Sequence, residues 1–234
     1  YTCWQPKDIE FVDCTHPSGM RTYVRTLCYV LSKAVHDVFP EATLNIEHSI
    51  SKGYFCTIHN GKPADIDMLA QIRQRMKELV DADIPLKLHT VQSEKAIQLF
   101  REVGMEDKAN LIESSGMMYA SYYELEGYVN YFYGGLVPST GYVPVFELEP
   151  YLDGALLRVP ERTNPHVLAP KVLQNKMFEA YKEHLNLQRA LGLNNVGDLN
   201  MALEHGHASE VIMISEAMQE KKIALLTLSL QIKD

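Results

Sequence analysis

No stretch of the 234 residues approaches the roughly 20 apolar positions needed to cross a bilayer, and no cationic leader precedes a hydrophobic run and a small-residue cleavage site. Nothing in the sequence directs the chain to a membrane. No C-x-x-C pair occurs among the four cysteines, Cys3, Cys14, Cys28 and Cys56, and a chain of this size needs no covalent staple. Reduced thiols and a cytoplasmic location are therefore expected. Basic runs are absent too: 22 Lys and Arg stand against 30 Asp and Glu, the net charge is -8, and the cations are dispersed. That excludes a general electrostatic grip on nucleic-acid phosphate and leaves room only for a local patch. There is no G-x-x-x-x-G-K-[ST] loop, because the one Gly-Lys pair, Gly61-Lys62, runs into Pro63. The chain holds no recognisable kinase active site, no repeat and no low-complexity tract.

What is present is a hydrophobic content of 46%, enough for a real core in one or two domains. Ile9 to Val12 is strand-like, and Pro17-Ser18-Gly19 reads as a turn. From Tyr23 to Val38 the apolar residues Val24, Leu27, Cys28, Leu31, Ala34, Val35 and Val38 recur at three and four, which predicts a helix with one buried face that Pro40 closes. Tyr54 to Ile58 reads as a strand, Asp65 to Val80 as a second amphipathic helix, and Pro85 to Val91 as a half-buried strand. Ser93 is the expected N-cap of a helix carrying Ala96, Ile97, Leu99 and Phe100, and a short helix is predicted around Lys108 to Ile112. Met117 to Leu125, Tyr128 to Tyr133, Val143 to Leu148 and Ala155 to Val159 are strand candidates rich in Tyr and Val, pointing to an antiparallel sheet. After Pro165 the pattern turns helical over Val172 to Leu191 and Glu210 to Leu230, with Gly192, Gly197 and Glu204-His205-Gly206-His207 between. The fold expected is α+β, an antiparallel sheet packed with helices, followed by a helical tail. Both ends, Tyr1 without a Met and Asp234 just after the apolar stretch Ile223 to Leu230, read as cuts in a longer protein.

One loop stands apart: Tyr128-Val129-Asn130-Tyr131-Phe132-Tyr133-Gly134-Gly135-Leu136-Val137-Pro138-Ser139-Thr140-Gly141. Together with the helix Arg73 to Val80, the segment from Ile46 to Tyr54, and Gly154-Ala155 with Arg158, it resembles the tRNA-editing domain of threonyl-tRNA synthetases over about residues 20–160. The resemblance implies that a Cys and a His of the family fall on Phe132 and Leu136. Its H-x-x-x-H pair falls on Arg25 and Tyr29, an Asp falls on Asn130, and a Lys of the cleft is retained as Lys108. Arg25 and Tyr29 share a helix face by their i, i+4 spacing, so a paired site survives in outline without imidazoles. Ester hydrolysis needs an activated water, and these residues supply neither a general base nor metal ligands. No catalytic residue and no metal are therefore expected, and the six positions form a degenerate cleft.

The tail segments Lys171 to Glu179 and Ile214 to Ala224 resemble a region of bacterial uridine kinase-like nucleoside kinases. It lies there between a synthetase-like half and a P-loop kinase domain. On that resemblance residues 1–19 end a small β-grasp (TGS-like) module, 20–160 form the editing-like domain, and 161–234 lead to a kinase domain beyond Asp234. ATP and Mg are then cofactors of the parent's kinase domain and none is expected in the present chain. The implied function is a non-catalytic regulatory or ligand-binding module of a uridine kinase-type protein, with a nucleotide, an amino acid or an RNA end as candidate ligands of the cleft. The alternatives are an aminoacyl-tRNA editing hydrolase using Arg25, Lys108, Asn130 and Tyr29, and a dimerisation scaffold built on the tail. His205 and His207 beside Glu204 suit a polar turn better than a metal site, and His48 and His59 read as ordinary histidines. Arg25 with Lys108 suits a phosphate or a tRNA terminus, against the plainer reading of a surface Arg paired with a carboxylate. Tyr119, Tyr122, Tyr123, Tyr128, Tyr131 and Tyr133 could stack bases, although Tyr is simply favoured in strands.

Overall fold

The computed structural model describes residues 6, 8, 10–61, 63–172 and 174–231, with side chains at all of these but 226 and 228–231. Cys3, Lys62, Leu173 and, of the expected β-grasp end over residues 1–19, residues 1–5, 7 and 9 lie outside the described residues. In chain order the elements are α1 (Pro17–Val38), β1 (Thr43–Ile50), β2 (Gly53–His59), α2 (Ile66–Asp81), β3 (Lys87–Gln92), α3 (Ser93–Glu102), α4 (Glu106–Glu113), β4 (Tyr119–Leu125) and β5 (Tyr128–Asn130). They continue as β6 (Glu147–Tyr151), β7 (Gly154–Arg158), β8 (Pro160–Glu161), β9 (Asn164–Leu168), α5 (Asn175–Ala190), α6 (Val196–Glu204) and α7 (Ala208–Gln231). The fold is α+β, with antiparallel strand pairs packed against helices. By contacts the chain divides into two compact units, residues 1–89 with 122–179 and residues 90–121 with 180–234.

The first unit is built on a four-stranded sheet ordered β1-β2-β7-β6. The inner strands carry apolar residues on both faces, and each face has its own cover. On one, Cys56, Ile58, Leu148, Ala155 and Leu157 meet Leu27, Leu31 and Ala34 of α1 and Leu69, Ile72, Met76 and Leu79 of α2. On the other, Ile50, Phe55, Tyr151 and Leu156 enclose Phe178 from the first turn of α5. Burial of side chains of this size contributes roughly 1.5–3 kcal/mol each. α1 and α2 are also joined electrostatically: Asp37 accepts from Lys33 Nζ at 2.5 Å and from Arg75 Nε at 2.9 Å.

The loop after β5 is fastened back to the end of α2. Thr140 Oγ1 donates to Leu79 O, accepts from Ile84 N at 2.8 Å, and is fully buried. Thr140 N donates to Ile84 O at 3.0 Å and Leu86 N to Pro138 O at 2.9 Å. Asp83 Oδ1 accepts from Ser139 Oγ and, at 3.1 Å, from Gly141 N. The Thr140 hydroxyl thus pairs two backbone groups that burial would otherwise leave unpaired, and the exposed Asp83 carboxylate pins the loop beside it.

In the second unit α3 packs on α4 and α4 on α6, with Ala96, Phe100, Ala109 and Ile112 buried. α6 approaches so closely that a Cβ at Gly197 would lie 3.0 Å from Asp107 O. Asn200 Nδ2 donates to Ser114 Oγ at 3.2 Å, and Lys222 of α7 meets Glu183 of α5 at 2.5 Å. Ile212, Met213, Ile214, Met218, Ile223 and Leu225 of α7 are exposed.

Several boundaries differ from expectation for identifiable reasons. Pro17-Ser18-Gly19 is not a turn but the start of α1: Pro suits the first helical positions, and His16 caps by accepting from Ser18 N. Gly19 is required there, since a Cβ would fall 1.9 Å from Asp13 O. Glu10 to Val12 form no strand. Ser93 is the first residue of α3 rather than its cap, and its hydroxyl donates to Met117 O. β5 stops at Asn130, short of Tyr133, because Asn130 Oδ1 takes Tyr131 N at 2.8 Å and turns the backbone out of the ladder. The strand expected over Val143 to Leu148 begins at Glu147, since Pro144 has no N–H to give a ladder, whereas Pro150 is tolerated on the edge strand β6. β1, an outer strand with a bulge between Ile46 and His48, and the β8-β9 hairpin were not foreseen. Helix α5 starts at Asn175 rather than Val172, because Val172 N is tied to Ser51 Oγ at 2.8 Å. α6 runs through Gly197, which read as a breaker, under an Asn195 cap.

Thr140→Val should lower stability by about 2–4 kcal/mol, because two buried backbone groups lose their partner, and Thr140→Ser should recover most of it; urea unfolding followed by circular dichroism measures both. Asp37 provides a pH test. Burial alone would raise its pKa, but the hydrogen bonds and charges of Lys33 and Arg75 outweigh burial and hold it below 3.8. Its contribution is present above the unfolded value and is lost as pH falls through the lower folded one. Asp37→Asn should therefore flatten the acid limb of the stability profile below about pH 4, read from urea midpoints at successive pH values.

Candidate functional site

α1 carries two working faces. The apolar positions enter the main core, while Arg25, Tyr29, Ser32 and His36, spaced at three and four, turn toward β5 and the loop behind it. Tyr29 is fully buried, and its hydroxyl lies 2.9 Å from Tyr123 O and 2.6 Å from Tyr128 O, positioned to donate to either carbonyl. Its ring stacks on Tyr128 at 5.9 Å and lies tilted to Phe132 at 5.2 Å. Tyr29, Tyr123 and Leu125 form a small apolar cluster against which Phe132, Leu136, Leu86 and Ile84 pack. Burial, reinforced by Tyr128 and Glu124, raises the Tyr29 phenol above its ordinary value. At neutral pH it is a donor and no base.

The polar rim is closed by local bonds. Tyr128 OH and Ser32 Oγ are 2.6 Å apart, and Asn130 Nδ2 donates to Ser32 Oγ at 3.4 Å. Tyr123 OH accepts from Leu136 N at 3.1 Å, and Thr26 Oγ1 accepts from Val137 N at 3.1 Å. The ring of His36 sits 4.8 Å from that of Tyr128. Arg25 closes the other end, donating from Nη1 to Tyr133 O at 3.0 Å and from Nη2 to Thr22 Oγ1 at 3.2 Å. Gly134, at φ 113°, lies against it so tightly that a Cβ would meet Nη1 at 2.2 Å. A side chain there is disfavoured on both counts, sterically and by backbone conformation.

Five of the six sequence-derived cleft positions, Arg25, Tyr29, Asn130, Phe132 and Leu136, are thus drawn onto one side of α1. Lys108 belongs to the second unit, on α4, where it pairs with Asp107 at 3.0 Å. Sequence reasoning did not single out Ser32, His36, Thr26 or the Tyr123 hydroxyl, although Ser32 and His36 extend the Arg25 and Tyr29 spacing by one and two turns. Among the described residues no group of three or more His, Cys, Asp or Glu is arranged to hold a metal. His207 faces Glu210 at 2.9 Å, His48 packs against Phe55 and Phe178, and burial lowers the His48 pKa. The row of tyrosines is divided: Tyr123 is in the cluster, Tyr122 stacks on His89, and Tyr119 and Tyr133 are 59% and 89% exposed. No helix of the described residues is long and apolar enough to cross a membrane.

An antiparallel α+β unit whose first helix packs a small apolar cluster against a Gly-Gly loop is the class that this arrangement defines. No protein-family model matches the chain. Curated sequences do: the threonine-tRNA ligase of Syntrophotalea carbinolica is 29% identical over 200 residues, covering 79% of this chain and 31% of that protein. That of Phenylobacterium zucineum is 36% identical over 98 residues, 42% of this chain and 15% of that protein. That of Hahella chejuensis is 30% identical over 145 residues, 61% of this chain and 23% of that protein. The chain carries a threonyl-tRNA synthetase-like domain. It spans less than a third of the length of these relatives.

Tyr29→Phe keeps the ring packing and removes the donor shared by two strand carbonyls. A loss of about 1–3 kcal/mol is expected, measured by chemical unfolding. Tyr29→His, which also shrinks the ring, should cost more in the same measurement.

Proposed function

We propose that the chain is a non-catalytic, ligand-binding module descended from a synthetase editing domain, serving as the regulatory N-terminal part of a longer uridine kinase-type protein. In that protein a kinase domain acting in cis, with ATP and Mg, phosphorylates uridine or a related nucleoside in the cytoplasm. One observation carries the first half of the reading: Tyr29, Phe132 and Leu136, at positions where the editing family carries imidazoles and a thiol, pack into one apolar cluster. Hydrolysis of an aminoacyl ester needs a group that takes a proton from water near pH 7. Tyr29 is a protonated donor committed to backbone carbonyls, an amide such as that of Asn130 is no base, and a guanidinium offers no lone pair to accept a proton. The second half rests on the likeness of Lys171 to Glu179 and of Ile214 to Ala224 to the region preceding a P-loop kinase domain. Segment 169–178 is consistent with a connector held firmly at its start, since Ala169, Val172 and Gln174 are bonded to the sheet region through Val159 and Ser51.

Incubation of the purified chain with mischarged aminoacyl-tRNA should release amino acid no faster than buffer alone. Turnover that Arg25→Ala or Lys108→Ala abolishes would overturn the non-catalytic reading and restore an editing hydrolase. In the full-length protein, ATP-dependent phosphorylation of uridine is expected, and its absence removes the kinase half.

A further inference from the structure

We propose that Asn60, followed by Gly61 in the bend between β2 and α2, is a site of self-modification that deamidates through a cyclic imide to aspartyl and isoaspartyl linkages. This chemistry is independent of the ligand-binding reading above. Asn60-Gly61 is the one Asn-Gly pair in the chain. Both residues are exposed and lie beyond His59, the last residue of β2. Gly61 sits at φ 72°, in the left-handed region, and a Cβ there would meet nothing within 4 Å. Attack on a carboxamide by the next backbone nitrogen is hindered by a side chain on the following residue and by backbone fixed in a ladder. Here the following residue has no Cβ, and the pair lies outside the strand.

The rest of the chain shows why the reaction is confined to this bend. Asp153-Gly154 is the comparable acidic pair, but Gly154 is paired with Tyr151 in the β6-β7 ladder, and a Cβ there would fall 2.5 Å from Cys56 O. Asn130 precedes Tyr131 and Asn195 precedes Val196, and their carboxamide oxygens are already engaged, by Tyr131 N at 2.8 Å and Asp198 N at 2.9 Å. Asn164 precedes Pro165, which has no N–H to lose. Around Asn60 the bend is pinned at its base, where Ala64 N donates to Ile58 O at 2.9 Å and His59 bridges Pro63. The extra backbone atom of an isoaspartyl linkage therefore enters a segment with fixed ends and open space beside Gly61. The steps balance with water as the only co-reactant. The Gly61 nitrogen gives its proton to solvent and bonds to Asn60 Cγ, the Cγ–Nδ2 bond breaks, and ammonia leaves with a proton from water. Water then opens the imide: at Cγ it restores the ordinary linkage with a side-chain carboxylate, and at the backbone carbonyl it leaves a β-linkage with a free α-carboxylate. That α-carboxylate is the group that an isoaspartyl carboxyl methyltransferase esterifies, with S-adenosylmethionine as methyl donor.

Incubation of the folded chain at mildly alkaline pH, followed by peptide mapping with mass spectrometry, tests the site. The peptide holding Asn60 should gain the mass of a carboxamide-to-carboxylate exchange about tenfold or more faster than any other Asn peptide, because a following side chain hinders the rest. The rate should rise with pH, since the attacking nitrogen must lose its proton. Gly61→Ala should slow the gain about tenfold or more, and Asn60→Gln, which requires a larger ring, should abolish it over the same period. An isoaspartyl methyltransferase with labelled S-adenosylmethionine should mark the aged chain but not the fresh one, and Asn60→Gln should remove the label. An Asn60 peptide that gains no mass in the folded chain, a product that is entirely α-linked, or a Gly61→Ala chain that deamidates at the original rate overturns the proposal. Should Gly61→Ala fail to fold, the methyl label decides: its persistence in Asn60→Gln overturns the site.

Discussion

One helix has to satisfy two interiors at once, and much of the first unit follows from that demand. The apolar side of α1 contributes Leu27, Leu31 and Ala34 to the main core, while Tyr29 points into a second cluster with Tyr123 and Leu125. Neither side is free to slide, because a shift of the helix that improves one contact degrades the other. The hydroxyl of Tyr29 fixes the register further by meeting the carbonyls of Tyr123 and Tyr128 on either side of the turn between β4 and β5. A helix so constrained can present Arg25 at a defined place, with its guanidinium against Gly134. The same constraint packs the rings of Tyr29 and Phe132 against each other, tilted, with their centroids 5.2 Å apart.

The loop from Pro138 to Gly141 completes this frame without contributing chemistry. Thr140 and Asp83 bind it to the end of α2, so the backbone leading out of the Gly-Gly turn has a fixed exit as well as a fixed entry. The Val-Pro-Ser-Thr-Gly sequence therefore has a structural explanation that needs no substrate.

Much of the fold was legible in the sequence because the strongly periodic elements bury one face. α1 and α2 could be found from their three-and-four spacing, and the Tyr-rich and Val-rich segments from their β preference. What escaped lacked that signal. β1 is half exposed on an outer edge, with its apolar residues not alternating cleanly, and α6 contains a glycine selected for close helix packing rather than for a break. His16 is an uncommon cap, so the true start of α1 looked like a turn. In the cleft, the i, i+4 relation of Arg25 and Tyr29 was readable, and the positions of Asn130, Phe132 and Leu136 followed from the family resemblance. The roles of Ser32, Thr26 and the Tyr123 hydroxyl were not readable, since each bonds a residue about a hundred positions away or to a loop whose path no local pattern encodes.

Phe178 gives the departing chain a second significance. It belongs to the opening turn of α5, yet it fills the sheet face formed by Ile50, Phe55, Tyr151 and Leu156. The segment that leaves the sheet is therefore also the stopper of its second face. Any pull on the start of α5 must either drag Phe55 and Tyr151 along or uncover them to water, so mechanical strain in the connector and hydration of the sheet become one and the same event.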